Sequence, residues 1–147
     1  MFKHLLVPTD GSPLSGETVE RAIAFAKGAG ARITFFCAVQ SFPTMYHGIG
    51  AIFDAQAPAR YHEAVDGVAQ DILDAAVKLA TAAGVDCAKL TLASAEPYAA
   101  IIEAAERQAC DLIFMASHGR KGINALLLGS ETNKVLTHSK IPVLVYR

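Results

Sequence analysis

Short apolar runs alternate along the chain with longer stretches whose apolar residues recur every three or four positions, which predicts strands followed by helices. The first run is Leu5, Leu6 and Val7, stopped by the turn formers of Pro8-Thr-Asp-Gly-Ser12. Ser12 caps a predicted helix with Pro13 in its first turn. Val19, Ala22, Ile23 and Ala26 line one face of it, and Gly28 or Gly30 ends it. Residues 33–39, rich in β-branched and aromatic side chains, read as a second buried strand. From Ser41 to Arg60 no period is visible, as expected of a long functional loop.

Val65, Val68, Ile72, Ala76 and Leu79 predict the inner face of a long helix closing near Gly84, and Leu90 and Leu92 mark a third strand. Pro97 opens another helix with Ile101, Ile102 and Ala105 inward, and residues 111–116 form a fourth strand. A fourth helix starts at Ser130 and carries Val135 and Leu136. Residues 142–146 make a fifth strand, whose leading proline suits a sheet edge or a strand start. Five strands alternating with four helices predict a single doubly wound α/β domain over residues 1–147. Its sheet is five-stranded and mainly parallel, ordered 3-2-1-4-5, with helices on both faces.

Composition narrows the function. Hydrophobic residues are 52% and charged residues 18%, which excludes global disorder and fits a sheet covered on both faces. A net charge of −1 gives no attraction to polyanions, so neither nucleic acid nor a membrane is the expected partner. No apolar run approaches the roughly 18 residues of a membrane span, and the opening is too short for a signal peptide, so a cytoplasmic location is expected. Cys37, Cys87 and Cys110 lack the spacing of a disulfide framework or a zinc ribbon. The histidines His4, His47, His62, His118 and His138 show no paired metal-ligand spacing.

In an open doubly wound sheet, ligands bind beyond the carboxyl ends of the strands where the winding reverses, here between strands one and four. The loops at those two ends are Pro8-Thr-Asp-Gly-Ser12 and Ala116-Ser-His-Gly-Arg-Lys-Gly122, the two best concentrations of glycine and polar residues. The second runs on to Gly129-Ser130 at a helix start, where unpaired amides and the helix dipole favour an anion. Gly119 can admit close backbone approach to phosphates, Ser130 can donate its hydroxyl or simply cap the helix, and Arg120 can neutralise charge. Asp10 has two roles open to it: acceptor for a ribose hydroxyl pair, or a local turn with the Gly11 and Ser12 amides. Ala38 and Val39 close the second strand beside the same crevice, and as apolar strand residues they are equally core. Neither a P-loop nor a dinucleotide fingerprint is present, and Ser117 and His118 are adjacent in sequence, which does not favour a catalytic Ser–His pair.

These residues resemble the universal stress protein family along essentially the whole chain. The opening Leu5-Leu-Val-Pro-Thr-Asp-Gly-Ser12 is similar to the family's first strand and loop, and residues 115–145 to its nucleotide loop, helix and last strand. The ATP-binding subgroup carries G-x2-G-x9-G-[ST]; here that frame reads Ala116, Gly119 and Gly129-Ser130, with alanine for the first glycine. The resemblance implies that Pro8, Thr9 and Asp10 border adenosine, with Asp10 on the ribose, and that Ala38 or Val39 touches adenine. It implies that Gly119, Arg120, Gly129 and Ser130 hold the phosphates of ATP, or of ADP or AMP, with Mg2+ among them. A homodimer through residues 143–146 is also implied, and pairing an apolar edge strand with its copy suits the sequence independently.

Three functions compete: a regulatory ATP-binding stress or signalling protein, a slow ATP hydrolase or related nucleotide enzyme, and a nucleotide-free dimeric interaction module working through the 41–60 loop. The first leads, because no general base or carboxylate set for magnesium accompanies Asp10. Gly129→Val is expected to weaken ATP binding and spare the fold.

Overall fold

The structure is a computed structural model that describes residues 1–41, 55–119 and 128–147. The elements run β1 (His4–Pro8), α1 (Pro13–Ala29), β2 (Arg32–Val39), α2 (Ala57–Ala82), β3 (Cys87–Ala93), α3 (Pro97–Arg107), β4 (Leu112–Ala116), α4 (Ser130–His138) and β5 (Val143–Tyr146). The five strands form one sheet ordered β3-β2-β1-β4-β5, with every neighbouring pair parallel. The expected architecture is the observed one. Among the described residues no helix is long and apolar enough to cross a membrane.

Alternation along the strands builds two cores. Leu5, Val7, Ile33, Phe35 and Phe114 face α1 and α2, while Leu6, Phe36, Ile113 and Met115 face α3 and α4. Phe35 and Phe36 are both fully buried on opposite faces, each contributing about 1.5–3 kcal/mol of apolar burial. The central strands are therefore apolar on both sides, which is why they read as continuous runs.

The inner face of α2 differs from the expected one. Ala69, Leu73, Ala76 and Ala80 are buried, whereas Val68 and Leu79 are 54% and 47% exposed. Three alanines let the helix lie close to β2 and β3, and the larger apolar residues are left to its flanks. Leu136 on α4 is likewise exposed, its inward partner Val135 is not, and Ile102 is only half-buried. Helix α2 also begins at Ala57, inside the expected 41–60 loop; residues 42–54 of that loop lie outside the described residues.

Three helices end in the same hydrogen-bonded turn. Gly30 donates to the Lys27 carbonyl and Ala31 to Ala26; Gly84 donates to Thr81 and Val85 to Ala80; Ala109 donates to Glu106 and Cys110 to Ala105. This pairing needs a left-handed residue after the cap, and Gly30 (φ 63°), Gly84 (φ 73°) and Ala109 (φ 51°) supply it. Alanine is strained there by its Cβ, so Ala109→Gly is expected to stabilise the protein by about 0.5–1 kcal/mol. That corresponds to a rise of roughly 1–4 °C in melting temperature. A calorimetric scan showing no rise would refute the strain at this turn.

At the amino ends of the strands His4 is buried, 6% exposed, with Nε2 2.8 Å from the Thr34 hydroxyl and Nδ1 without a close hydrogen-bond partner among the described residues, the Gln108 backbone lying farther off. It lines a cavity of about 130 Å³ with Arg32, Thr34, Asp86, Cys87 and Gln108. Burial and then the Arg32 guanidinium lower its pKa below 6.5, outweighing the Gln108 carbonyl, Asp111 and Asp86, which raise it. Because the unfolded chain binds this proton first as pH falls, stability is complete above about pH 6.5 and lost progressively below it. Nearby Asp111 accepts the Lys3 amide at 2.8 Å and the His4 amide at 3.0 Å. Burial raises its pKa, but those amides outweigh the burial and hold it below 3.8, so its contribution fades only at lower pH. Melting temperature is expected to fall between pH 7 and pH 5, and to fall less in His4→Gln, which keeps an amide for Thr34. An unchanged slope in that variant would remove His4 from the account.

Candidate functional site

Helix α1 leaves β1 toward one face of the sheet and α4 leaves β4 toward the other, so a crevice opens beyond the carboxyl ends of these two neighbouring strands. Residues 9–12 lie there, with residues 117–119 and 128–129 of the second loop. Arg120, with residues 121–127, lies outside the described residues.

The first loop is held by hydroxyls. The Thr9 amide donates to the Phe36 carbonyl at 2.8 Å, which carries the β1–β2 ladder past Pro8. Asp10 donates its amide to Ser15 Oγ at 3.1 Å, and Ser15 Oγ lies 2.5 Å from the Thr9 hydroxyl. Asp10 Oδ1 accepts the Ser12 amide at 3.0 Å, and Gly11 turns the chain with φ 76°. Ser12 in turn caps α1 by accepting the Ser15 amide at 3.3 Å. The local-turn role foreseen for Asp10 is thus present. Ser15 was missed by the sequence reading, although Ser12 and Ser15 three apart at a helix start are a capping signal.

Ala38 and Val39 face opposite ways at the end of β2. Val39 is buried in the core under α1 and α2, and its carbonyl accepts the Ser94 amide at 2.9 Å. Ala38 is half-buried on the other face.

The second loop starts at Ala116, 9% exposed and without a positive φ, whose carbonyl accepts the Thr132 hydroxyl at 3.0 Å. Ser117 donates its amide to Tyr146 at 2.8 Å, and its carbonyl accepts the Gly129 amide at 2.7 Å. Its hydroxyl lies 3.2 Å from His118 Nδ1. A Cβ on Gly129 would stand 3.1 Å from His118 Cα and 3.2 Å from the Ser117 oxygen, so this glycine serves a backbone-to-backbone contact within the protein. Gly119 abuts Asp10, whose Cγ would be 3.3 Å from an added Cβ with Oδ2 closer still.

Helix α4 begins at exposed Ser130 with no side-chain cap, and the amides of residues 130–132 have no partner among the described residues. The other helices of the crevice differ: Ser12 caps α1, and Glu131 Oε2 accepts the Tyr98 amide of α3 at 2.8 Å. Glu131 also lies 3.2 Å from the Lys134 ammonium, which sits over the Tyr98 ring. The uncapped, electropositive helix end that opens on the crevice is therefore that of α4. Burial pushes the Cys110 thiol up to about 12 and raises Cys87, so neither is a thiolate nucleophile at neutral pH.

A parallel sheet in this order, with polar loops at the β1–β4 switch, defines a doubly wound α/β protein. The chain belongs to the universal stress protein family, which matches it over residues 1–147. A universal stress protein of Methanocaldococcus jannaschii is 31% identical over 147 residues, covering 100% of this chain and 83% of its own length. A universal stress protein solved in complex with cAMP is 27% identical, superposes with a TM-score of 0.71, and is covered to 97% by 99% of this chain. A hypothetical protein solved as a structural-genomics test case gives a TM-score of 0.83 over 99% of this chain and 95% of its own, a likeness of fold at 23% identity.

Proposed function

We propose that this protein binds an adenine nucleotide in the crevice between β1 and β4, ATP foremost and ADP or AMP through the same contacts, and that occupancy serves regulation rather than rapid turnover. One observation carries the reading: a fixed carboxylate, Asp10, and the uncapped first turn of α4 share one crevice. The cAMP complex of a relative supports an adenine nucleotide as the ligand. In this reading Pro8, Thr9 and Asp10 border the adenosine, with Asp10 on the ribose. Ala38 meets the adenine with its side chain and Val39 with its backbone. Ala116, Gly119 and Gly129 shape the loop, Ser130 and the α4 amides take the phosphates, Arg120 adds a cation, and Mg2+ accompanies the phosphates. The chain then falls in the family's ATP-binding branch as one cytoplasmic domain. Ala116 is compatible with that, since its φ leaves alanine unstrained. Denaturing the purified protein and identifying released small molecules by mass spectrometry is expected to yield an adenine nucleotide. Protein that releases no adenine nucleotide and fails to bind added ATP would refute the reading and favour a nucleotide-free interaction module. Phosphate release well above background and abolished by Asp10→Ala would move it to a hydrolase.

The same reading makes the protein a homodimer through β5. This strand closes one edge of the sheet, half-buried along its length, and a second copy would pair its open ladder. Leu144 packs against the core of α1 and α2, and Val145 against that of α3 and α4. Leu144→Lys and Val145→Lys, made separately, are expected to give folded monomers by sedimentation. Wild-type mass in both would place the interface elsewhere.

A further inference from the structure

Helix α3 has no cap of its own, since Glu96 at its N-cap makes no side-chain bond. The open amide of its first turn, that of Tyr98, donates instead to Glu131 Oε2 at the head of α4, 33 residues on, at 2.8 Å. The same side of α4 grips the rest of Tyr98. Lys134, 3.2 Å from Glu131 Oε1, holds its ammonium 5.1 Å from the centre of the Tyr98 ring, and the His138 ring stands 5.5 Å from it. Residues 131, 134 and 138 share one face of the helix, so one residue of α3 is held along the length of α4. Elsewhere α4 buries only Thr132 and Val135 among the described residues, and a helix of nine residues does not hold itself.

Tyr98 is in turn registered to the end of β2. The Ser94 amide donates to the Val39 carbonyl at 2.9 Å, and Ser94 Oγ accepts the Glu96 amide at 3.0 Å, two residues before Tyr98. Residues 94–98 therefore join the last residue of β2 to the first turn of α4. With one oxygen on Tyr98 and the other beside Lys134, the Glu131 carboxylate is turned to α3 rather than capping its own helix.

We infer that Glu131 is a positioning residue that sets the width of the crevice: through Tyr98 it fixes the head of α4 at the distance from the end of β2 that a ligand bridging the two requires. The ligand rests on the nucleotide-binding reading, and the clamp on its own contacts.

The test compares Glu131→Ala with Glu131→Gln, whose amide oxygen still accepts from Tyr98, by calorimetric titration with ATP and with adenosine, which does not span the crevice. Glu131→Ala is expected to weaken ATP about tenfold and adenosine by less than about twofold, while Glu131→Gln keeps ATP within about twofold of wild type. An equal loss of both compounds in the alanine variant would mean general loosening and overturn the inference. Unchanged ATP affinity in that variant, or a glutamine variant as weak as the alanine one, would overturn it too. If the wild type binds neither compound, the nucleotide reading fails and amide hydrogen exchange decides the clamp. Faster exchange over residues 134–139 together with Tyr98 in Glu131→Ala upholds it, and exchange in α4 that stays at the wild-type rate overturns it.

Discussion

Asp10→Ala is expected to weaken adenosine and ATP equally, by about a hundredfold, or about 2.7 kcal/mol. A carboxylate accepting from two ribose hydroxyls makes charge-assisted hydrogen bonds worth about 1.5–3 kcal/mol each, part of which water recovers when the carboxylate is gone. Geometry makes the estimate credible, because this carboxylate does not have to be ordered when the ligand arrives. Its other oxygen and its backbone are already fixed by the Ser12 amide and the Ser15 hydroxyl. The same bonds mean that alanine also disturbs the turn, at about 1 kcal/mol of stability. Asp10→Asn separates the two effects, since its amide oxygen can still accept from Ser12 while the charge is gone. Asparagine is expected to melt like wild type and still lose most of the adenosine affinity. A loss seen with ATP but not adenosine would instead place Asp10 at the phosphate end, through a metal ion.

Most of the fold was legible because each strand is a short apolar run bounded by turn formers, and each helix has its own start or stop. Pro13, Pro97, Gly30 and Gly84 all mark ends where the structure has them. The inner face of α2 was legible only at Ala76. A pattern weighted by hydrophobicity picks valine and leucine beside Ala76, whereas a helix lying close on β2 and β3 selects for small side chains, so of the buried alanines only Ala76 was foreseen and those at 69 and 80 are uninformative until the distance is known. The same limit applies in the crevice. Asp10, Gly119 and Gly129 stood out as residue types suited to a ligand loop, and what residue type alone could not show is that both glycines also lie close against protein atoms. Gly119 makes room for a carboxylate and Gly129 for the backbone of residues 117–118. Thr132, whose hydroxyl ties α4 to the end of β4 across 16 residues, carries no local signal at all.

Gly129→Val is expected to abolish detectable ATP binding and also to destabilise the protein, against the expectation from sequence that the fold would be spared. With φ −59° and ψ 150° the backbone conformation itself admits valine, so the obstacle is purely one of space. The atoms within 3.1–3.3 Å of the new Cβ are His118 Cα and Cβ and the Ser117 carbonyl oxygen, and two further methyl groups would follow. Those neighbours cannot yield cheaply. Ser117 is bound to Tyr146 at 2.8 Å, and the Ala116 carbonyl before it to the Thr132 hydroxyl at 3.0 Å, so moving the loop strains β5 and α4 together. Overpacking of this kind costs about 1–3 kcal/mol. At roughly 2–4 °C per kcal/mol, the upper end is a fall of about 6–12 °C in melting temperature. Because the start of α4 shifts with residue 129, the amides offered to the phosphates shift as well, and binding is lost through position rather than through a missing contact. Ser130→Ala is the control that separates these effects. Ser130 is exposed, and its side chain makes no cap bond. Its removal should change stability by less than about 0.5 kcal/mol. ATP should weaken by about tenfold while adenosine is unaffected. A Gly129→Val protein that melts with the wild type would show that the loop accommodates the side chain, and a Ser130→Ala protein that loses adenosine as well would place the nucleoside, not the phosphates, at the head of α4.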